Sequence, residues 1–178
     1  ADDALAGLGH RPEQRLQLGA VGPAAGDGAA VGAHVGGGEA GGEADGAGVH
    51  GVTDDGMCWS PVAEVFAKDF DVIMVDARGH GKSDAPEDGY TLHNLGAELA
   101  GVVQALGLNQ PILLGHSMGA ITALVAAGLY PSMPRAILLE DPPPFWMPAE
   151  TTSRNADFKT GFITWINSIK RKTQGELL

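Results

Sequence analysis

One stretch constrains the fold more than any other: Ile112-Leu113-Leu114-Gly115-His116-Ser117-Met118-Gly119-Ala120-Ile121, an apolar run that breaks at a glycine-flanked serine and resumes as a small-residue helix. A G-x-S-x-G string turns the chain sharply from strand to helix, and Gly115 and Gly119 leave room where a side chain would clash. The string alone also occurs in ordinary turns. Here the apolar residues before it and the run from Ala120 to Leu129 after it complete a strand, an elbow and a helix. Ser117 then stands at a helix N-terminus, where free N–H groups and the helix dipole favour developing negative charge. It is the candidate nucleophile.

The elements around this stretch alternate. Ser60 and Pro61 read as the N-cap and first residue of a helix to about Lys68, with Val62, Val65 and Phe66 as its inward face. Phe70 to Asp76 is a continuous apolar run of the kind found in buried parallel strands. Turn-forming residues follow from Ala77 to Gly89. Leu92, Leu95, Leu99, Val102, Val103 and Leu106 then recur at helical spacing, with Gly107 as the C-cap. Ala136 to Asp141 reads as a third buried strand, stopped by Pro142-Pro143-Pro144. The alternation predicts an α/β fold, a parallel sheet with helices on both faces. Ligands bind such sheets at the carboxyl ends of the strands, where His50-Gly51, the Arg78 loop, Ser117 and Asp141 would lie.

Residues 1–48 differ from the rest. Gly and Ala exceed half of this segment, and Ile, Phe, Tyr, Trp, Met, Lys, Asn, Ser, Thr and Cys are absent. Such a composition buries too little apolar surface to offset ordering entropy, so the segment reads as a disordered extension. Every residue from Ala1 to Val52 can also be encoded by a codon beginning with G or C, as in a GC-rich gene read out of register. The domain reading is therefore a low-complexity segment over 1–48, an α/β core over 49–144, and the start of an apolar helical lid over 145–178. The lid reading rests on Phe145, Trp146, Met147, Phe158, Phe162, Trp165, Ile166 and Ile169.

A formal charge of −11 disfavours nucleic acid and anionic membranes as partners. The single Cys58 excludes an internal disulfide framework, and no run reaches membrane-spanning length, so a cytoplasmic location is expected. No Cys/His cluster has metal-ligand spacing and no phosphate-binding glycine loop follows a strand, so neither a metal nor another cofactor is expected.

Three motifs, His50-Gly51, Asp76-Ala77-Arg78-Gly79-His80-Gly81-Lys82-Ser83 and Gly115-His116-Ser117-Met118-Gly119, stand in an order that resembles the α/β-hydrolase fold family, in its lidded esterase, lactonase and C–C hydrolase branch. The resemblance implies a serine hydrolase acting on a small ester, thioester or lactone through an acyl-enzyme. It assigns Ser117 as nucleophile, the backbone N–H groups of Val52 and Met118 as the oxyanion hole, and Asp141 as candidate acid. Asp76, Arg78, Gly79, His80 and Gly81 shape a loop, as do His50 and Gly51, while Gly115, His116 and Gly119 belong to the elbow. The family's base is a histidine after the acid, and no histidine follows His116. His10, His34, His50, His80, His93 and His116 are poor replacements, so the expectation is a partial core with little or no activity. The alternative is a non-catalytic fragment or binding module on the same fold.

Overall fold

The computed structural model describes residues 14–20, 30–36, 45–67, 69–143 and 164. The chain divides into two compact units, Ala1–Pro143 and Pro144–Leu178. The expected lid lies outside the described residues, Thr164 apart.

The first unit runs β1 (Gln14–Ala20), β2 (Ala30–Gly36), β3 (Asp45–Val49), a 3₁₀ turn (Gly56–Trp59), α1 (Ser60–Phe66), β4 (Asp71–Asp76), α2 (Leu92–Ala105), β5 (Ile112–His116), α3 (Met118–Leu129) and β6 (Ala136–Glu140). The six strands form one sheet in the order β1-β2-β4-β3-β5-β6. β3, β4, β5 and β6 are parallel, whereas β1 and β2 add antiparallel at the β4 side. The α/β architecture and the mostly parallel sheet are as expected; the antiparallel extension is an addition.

That addition corrects the reading of residues 1–48 as a disordered extension. Three strands lie in or across that segment, and Val31, Ala33, Ala47 and Val49 are in the core. Composition weighs side-chain burial and omits the backbone. β3 is hydrogen-bonded on both edges, to β4 and β5, so its N–H and C=O groups are satisfied by neighbours that supply the bulk. Its small residues suit that place. An added Cβ on Gly48 would lie 3.2 Å from Cδ1 of Trp59, which packs across the strand.

Strand alternation divides the core in two. Ala47, Val49, Ile73, Val75 and Leu113 face α2 and α3, meeting Leu99, Val102, Val103, Leu106, Ala123 and Ala126. Met74 faces the other way, toward Trp59 and Ala63, with Val72 and Leu114 alongside. On that second face an apolar cavity of about 110 Å³ opens between Gly48, Trp59, Phe70, Val72, Leu114 and Leu138. α2 approaches α3 closely because Gly96 has no side chain: a Cβ there would sit 2.7 Å from Cγ1 of Val125. Thr91 caps α2 by accepting from Asn94 N at 3.1 Å. At its other end, Gly107 (φ 66) allows Leu108 N to donate to Val103 O and Gly107 N to Gln104 O, a Schellman closure.

Three local expectations are corrected. Ser60 is not a cap; the 3₁₀ turn runs straight into α1, Trp59 takes the N-cap place, and the Ser60 hydroxyl is buried without a partner among the described residues. The cap is one turn earlier, where Asp55 Oδ1 accepts from Met57 N at 2.9 Å. The expected inward face of α1 is mostly outward: Val65 is 66% exposed and Phe66 49%, while Ala63 is buried. Trp59 occupies the space that a larger inward face would need. β6 is exposed, with Leu138 at 53%, because among the described residues it pairs only with β5 and so forms an edge of the sheet.

Asp71 stands opposite Asp45 at the start of the β3–β4 ladder. Partial burial, then the charge of Asp45, holds its carboxyl pKa above the usual value. For an acid whose folded pKa is raised, the unfolded chain loses its proton first, so stability falls as pH climbs through the ordinary carboxylate range to the raised value. Asp71→Asn should therefore raise stability near neutral pH by about 0.2–1 kcal/mol, the range for a cross-strand pair. Below the carboxylate range the gain should vanish. Urea midpoints at the two pH values check this, and equal midpoints for both chains at neutral pH would rule it out.

Candidate active site

Because β3, β4, β5 and β6 are parallel, their carboxyl ends share one edge of the sheet. The segments leaving β3, β4 and β5 there carry His50-Gly51-Val52, Ala77-Arg78-Gly79-His80 and Ser117.

Ser117 separates β5 from α3 with φ 50 and ψ −111, outside the usual region for a residue with a Cβ. Two glycines permit it. A Cβ on Gly115 would overlap the carbonyl of Gly119 and lie 2.6 Å from Ala120 N. A Cβ on Gly119 would overlap the carbonyl oxygen of Val49 and lie 2.8 Å from His50 O. The strained residue is tied down by Ser117 N donating to Glu140 O at 2.9 Å and Ala120 N donating to Ser117 O at 3.1 Å. Its side chain is half-buried, and its hydroxyl makes no hydrogen bond among the described residues.

β3 pairs with β5 so that Val49 is opposite Gly115, which brings the turn after β3 alongside the elbow. In that turn Gly51 O accepts from His50 Nδ1 at 2.6 Å and from Asp54 N at 3.2 Å. His50 is fully buried, and its Nε2 accepts from Ala77 N at 3.0 Å, so the proton is on Nδ1. Burial lowers its pKa, outweighing the hydrogen bond to Gly51 that raises it. His80 lies 5.0 Å away, centroid to centroid, with Nε2 2.9 Å from Val52 O and Nδ1 2.9 Å from Arg78 O. Both imidazoles are thus engaged with backbone. The N–H groups of Val52 and Met118 have no hydrogen-bond partner among the described residues.

The loop after β4 is braced by buried charge. Asp76, fully buried, accepts from Gly56 N at 2.7 Å and Lys82 N at 2.9 Å, and His34 Nε2 lies 3.4 Å from its Oδ2. Gly81 (φ 52) crosses the Asp76 carboxylate where a Cβ would overlap it. Ser83 Oγ donates to Asp76 O at 2.6 Å and accepts from Gly32 N at 2.8 Å. Arg78, 2% exposed, donates from Nε to Glu98 Oε1 at 2.8 Å, adds a second, shorter bond to the same oxygen, and reaches Asp88 O. Gly79 (φ 77) turns the chain between them, with Gly79 N donating to Asp84 O at 2.9 Å.

Asp76 and Arg78 thus face backbone and Glu98 rather than Ser117. Asp141 follows Glu140 with φ 44 and is exposed. His93 is an exposed residue of α2, and His116, half-buried, has Nδ1 3.0 Å from where a Cβ on Gly51 would stand. His10 lies outside the described residues. Among the described residues no imidazole is hydrogen-bonded to Ser117, and no group of His, Cys, Asp or Glu could hold a metal ion. No helix among them is long and apolar enough to cross a membrane.

Sequence reasoning missed Glu98 and His34. Glu98 carried a signal: it stands between Leu95 and Leu99 on the buried stripe of α2, where an ionised side chain needs a partner. His34 carried none, since its strand is recognisable only through pairing with β4.

This fold and elbow coincide with a family match. Residues 49–177 match the model of the alpha/beta hydrolase fold family, and the chain belongs to that family. Over 96 residues it is 36% identical to 2-(acetamidomethylene)succinate hydrolase of Mesorhizobium japonicum, covering 54% of this chain and 34% of that protein. N-formylmaleamate deformylase of Pseudomonas putida is 39% identical over 96 residues, covering 53% and 36%. Among solved structures, an esterase from Thermogutta terrifontis superposes with a TM-score of 0.65 at 26% identity, over 73% of this chain and 46% of that one. The chain spans about a third of the length of these two curated relatives, one a hydrolase and the other a deformylase by name.

Proposed function

We propose that Ser117 is the nucleophile of a serine hydrolase that cleaves a small ester, thioester or lactone through an acyl-enzyme. The observation that carries this reading is the elbow: a serine at φ 50 on a helix N-terminus, whose hydroxyl, like the N–H groups of Met118 next to it and of Val52 in the turn after the paired strand, has no hydrogen-bond partner among the described residues. Attack by Ser117 Oγ on an acyl carbonyl would form a tetrahedral oxyanion, which Val52 N–H and Met118 N–H would receive. Related proteins support acyl transfer to water as the reaction class. Besides the hydrolase and the deformylase above, a 3-oxoadipate enol-lactonase of Acinetobacter baylyi is 40% identical over 72 residues, covering 40% of this chain and 26% of that protein.

A hydroxyl attacks slowly unless a base takes its proton. With His50 and His80 committed to backbone, residues 1–178 should hydrolyse esters at the buffer baseline. A fluorophosphonate probe tests the nucleophile. Slow labelling, accelerated by free imidazole and abolished in Ser117→Ala, is the expected result. Labelling that persists in Ser117→Ala would refute it. The second reading, a non-catalytic module on the same fold, is favoured by the lack, among the described residues, of an imidazole bonded to Ser117. A folded chain left unlabelled with and without imidazole would support that reading.

A further inference from the structure

We propose that His80 is a positioning residue for the oxyanion hole, holding the carbonyl of Val52 so that the Val52 N–H faces the edge where Ser117 stands. This rests on the reading of Ser117 and Val52 above and adds a role for a residue that the acyl-transfer steps do not use.

The argument starts from the peptide between Gly51 and Val52. Its carbonyl is occupied twice, by His50 Nδ1 at 2.6 Å and Asp54 N at 3.2 Å, while its N–H is unbonded among the described residues. A peptide plane held at one end still turns about the flanking bonds, so the direction of its N–H depends on the next peptide as well. That next carbonyl, Val52 O, is held by His80 Nε2 at 2.9 Å. The two histidines therefore fix consecutive peptides on either side of the Val52 Cα.

Both act from the same platform. His50 Nε2 accepts from Ala77 N at 3.0 Å, and His80 N donates to Ala77 O at 2.9 Å, so both rings are anchored to the segment leaving β4. Their rings meet at 5.0 Å with a tilt of 59°, and His50 is fully buried beneath. That segment is rigid, since Asp76 and Arg78 tie it to Gly56, Lys82 and Glu98. A neutral His80 with its proton on Nε2 and a charged His80 both donate to Val52. On the His50 side the bonds run in series, from Ala77 N to Nε2 and from Nδ1 to Gly51 O, and polarise the peptide that carries the Val52 N–H, while His80 sets the direction of that N–H through the next peptide. An N–H displaced by even a fraction of an ångström serves a developing oxyanion poorly.

The experiment compares the 178-residue chain with His80→Phe, which keeps a ring but no N–H, and His80→Gln, whose amide N–H reaches the position of Nε2. Fluorophosphonate labelling is measured with free imidazole present and normalised to folded protein. His80→Phe should lower the maximal labelling rate at least about tenfold with little change in half-saturating probe concentration, and His80→Gln should recover most of it. In ¹⁵N–¹H spectra the Val52 amide should shift and exchange faster in His80→Phe and stay near its original position in His80→Gln. Equal maximal rates for the folded Phe variant and the original chain overturn the proposal, as does a Val52 amide unmoved by His80→Phe. A loss of folded protein shared equally by Phe and Gln, with the rate per folded molecule unchanged, assigns His80 a structural role and also overturns it. If the original chain is unlabelled, the nucleophile reading falls, and the Val52 amide decides the His80 assignment by itself.

Discussion

Gly119→Ala is expected to destabilise the fold strongly and to lower its melting temperature by many degrees. The added methyl would overlap the carbonyl oxygen of Val49 and stand 2.5 Å from its carbon and 2.8 Å from His50 O. All three atoms are backbone at the end of a central strand, so no side chain can rotate away. Relief requires α3 to retreat from β3, which also pulls Ser117 from the edge it shares with Val52. Overpacking in a core commonly costs about 1–3 kcal/mol, and a rigid contact of this kind belongs at or above the upper end. Against a total stability of roughly 5–15 kcal/mol, that is a large fraction. Circular dichroism melting tests the expectation, and a variant melting within a few degrees of the original would contradict it. Gly128→Ala is the control, because a Cβ there meets nothing within 4 Å.

Glu98→Ala should be the most damaging change among the side-chain interactions. Arg78 and Glu98 are 2% and 5% exposed, and Glu98 is the carboxylate that takes two of the guanidinium's bonds. Removing one partner of a buried ion pair costs about 3–5 kcal/mol, since the remaining buried charge loses the bonds that replaced water. Glu98→Gln keeps an acceptor oxygen and should lose less. The double change Arg78→Met with Glu98→Leu removes both charges of this pair and should be milder than Glu98→Ala alone. Urea unfolding of the three chains gives the comparison, and a double variant less stable than Glu98→Ala would contradict this account. The loop after β4 is the part that should loosen first, since Arg78 also holds Asp88 O from it.

Sequence legibility followed the kind of interaction involved. The elbow, β4 and α2 were readable because each is specified by residues close in sequence: paired glycines, a β-branched run, an apolar stripe ending in Gly107. β1, β2 and β3 were not readable. Their residues carry little apolar area, and they are strands because distant segments satisfy their backbone. β6 read as buried from Ile137, Leu138 and Leu139, but an apolar run states what could be covered and not what covers it. At the site, Ser117 and its glycines came from a motif. The engagement of His50 and His80 with Gly51 and Val52 did not, since a histidine's partners depend on where three strands end. Glu98 shows the same limit, legible as an anomaly on its helix and assignable to Arg78 only in space.

The place of β3 also bears on how the molecule assembles. It precedes β4 and β5 in the chain yet lies between them, so Gly46 must find Ile112 across α1, β4 and α2. Closing so long a loop loses entropy before any contact rewards it, and a strand of Gly and Ala offers little local attraction to help. Insertion of β3 should therefore be a late event, with β4, α2, β5 and α3 already gathered. The turn bearing Val52 is attached to that strand, so the carboxyl edge around Ser117 is completed only at the end. A probe that senses this edge would report the last step of folding, at a time when most of the helical signal has already formed.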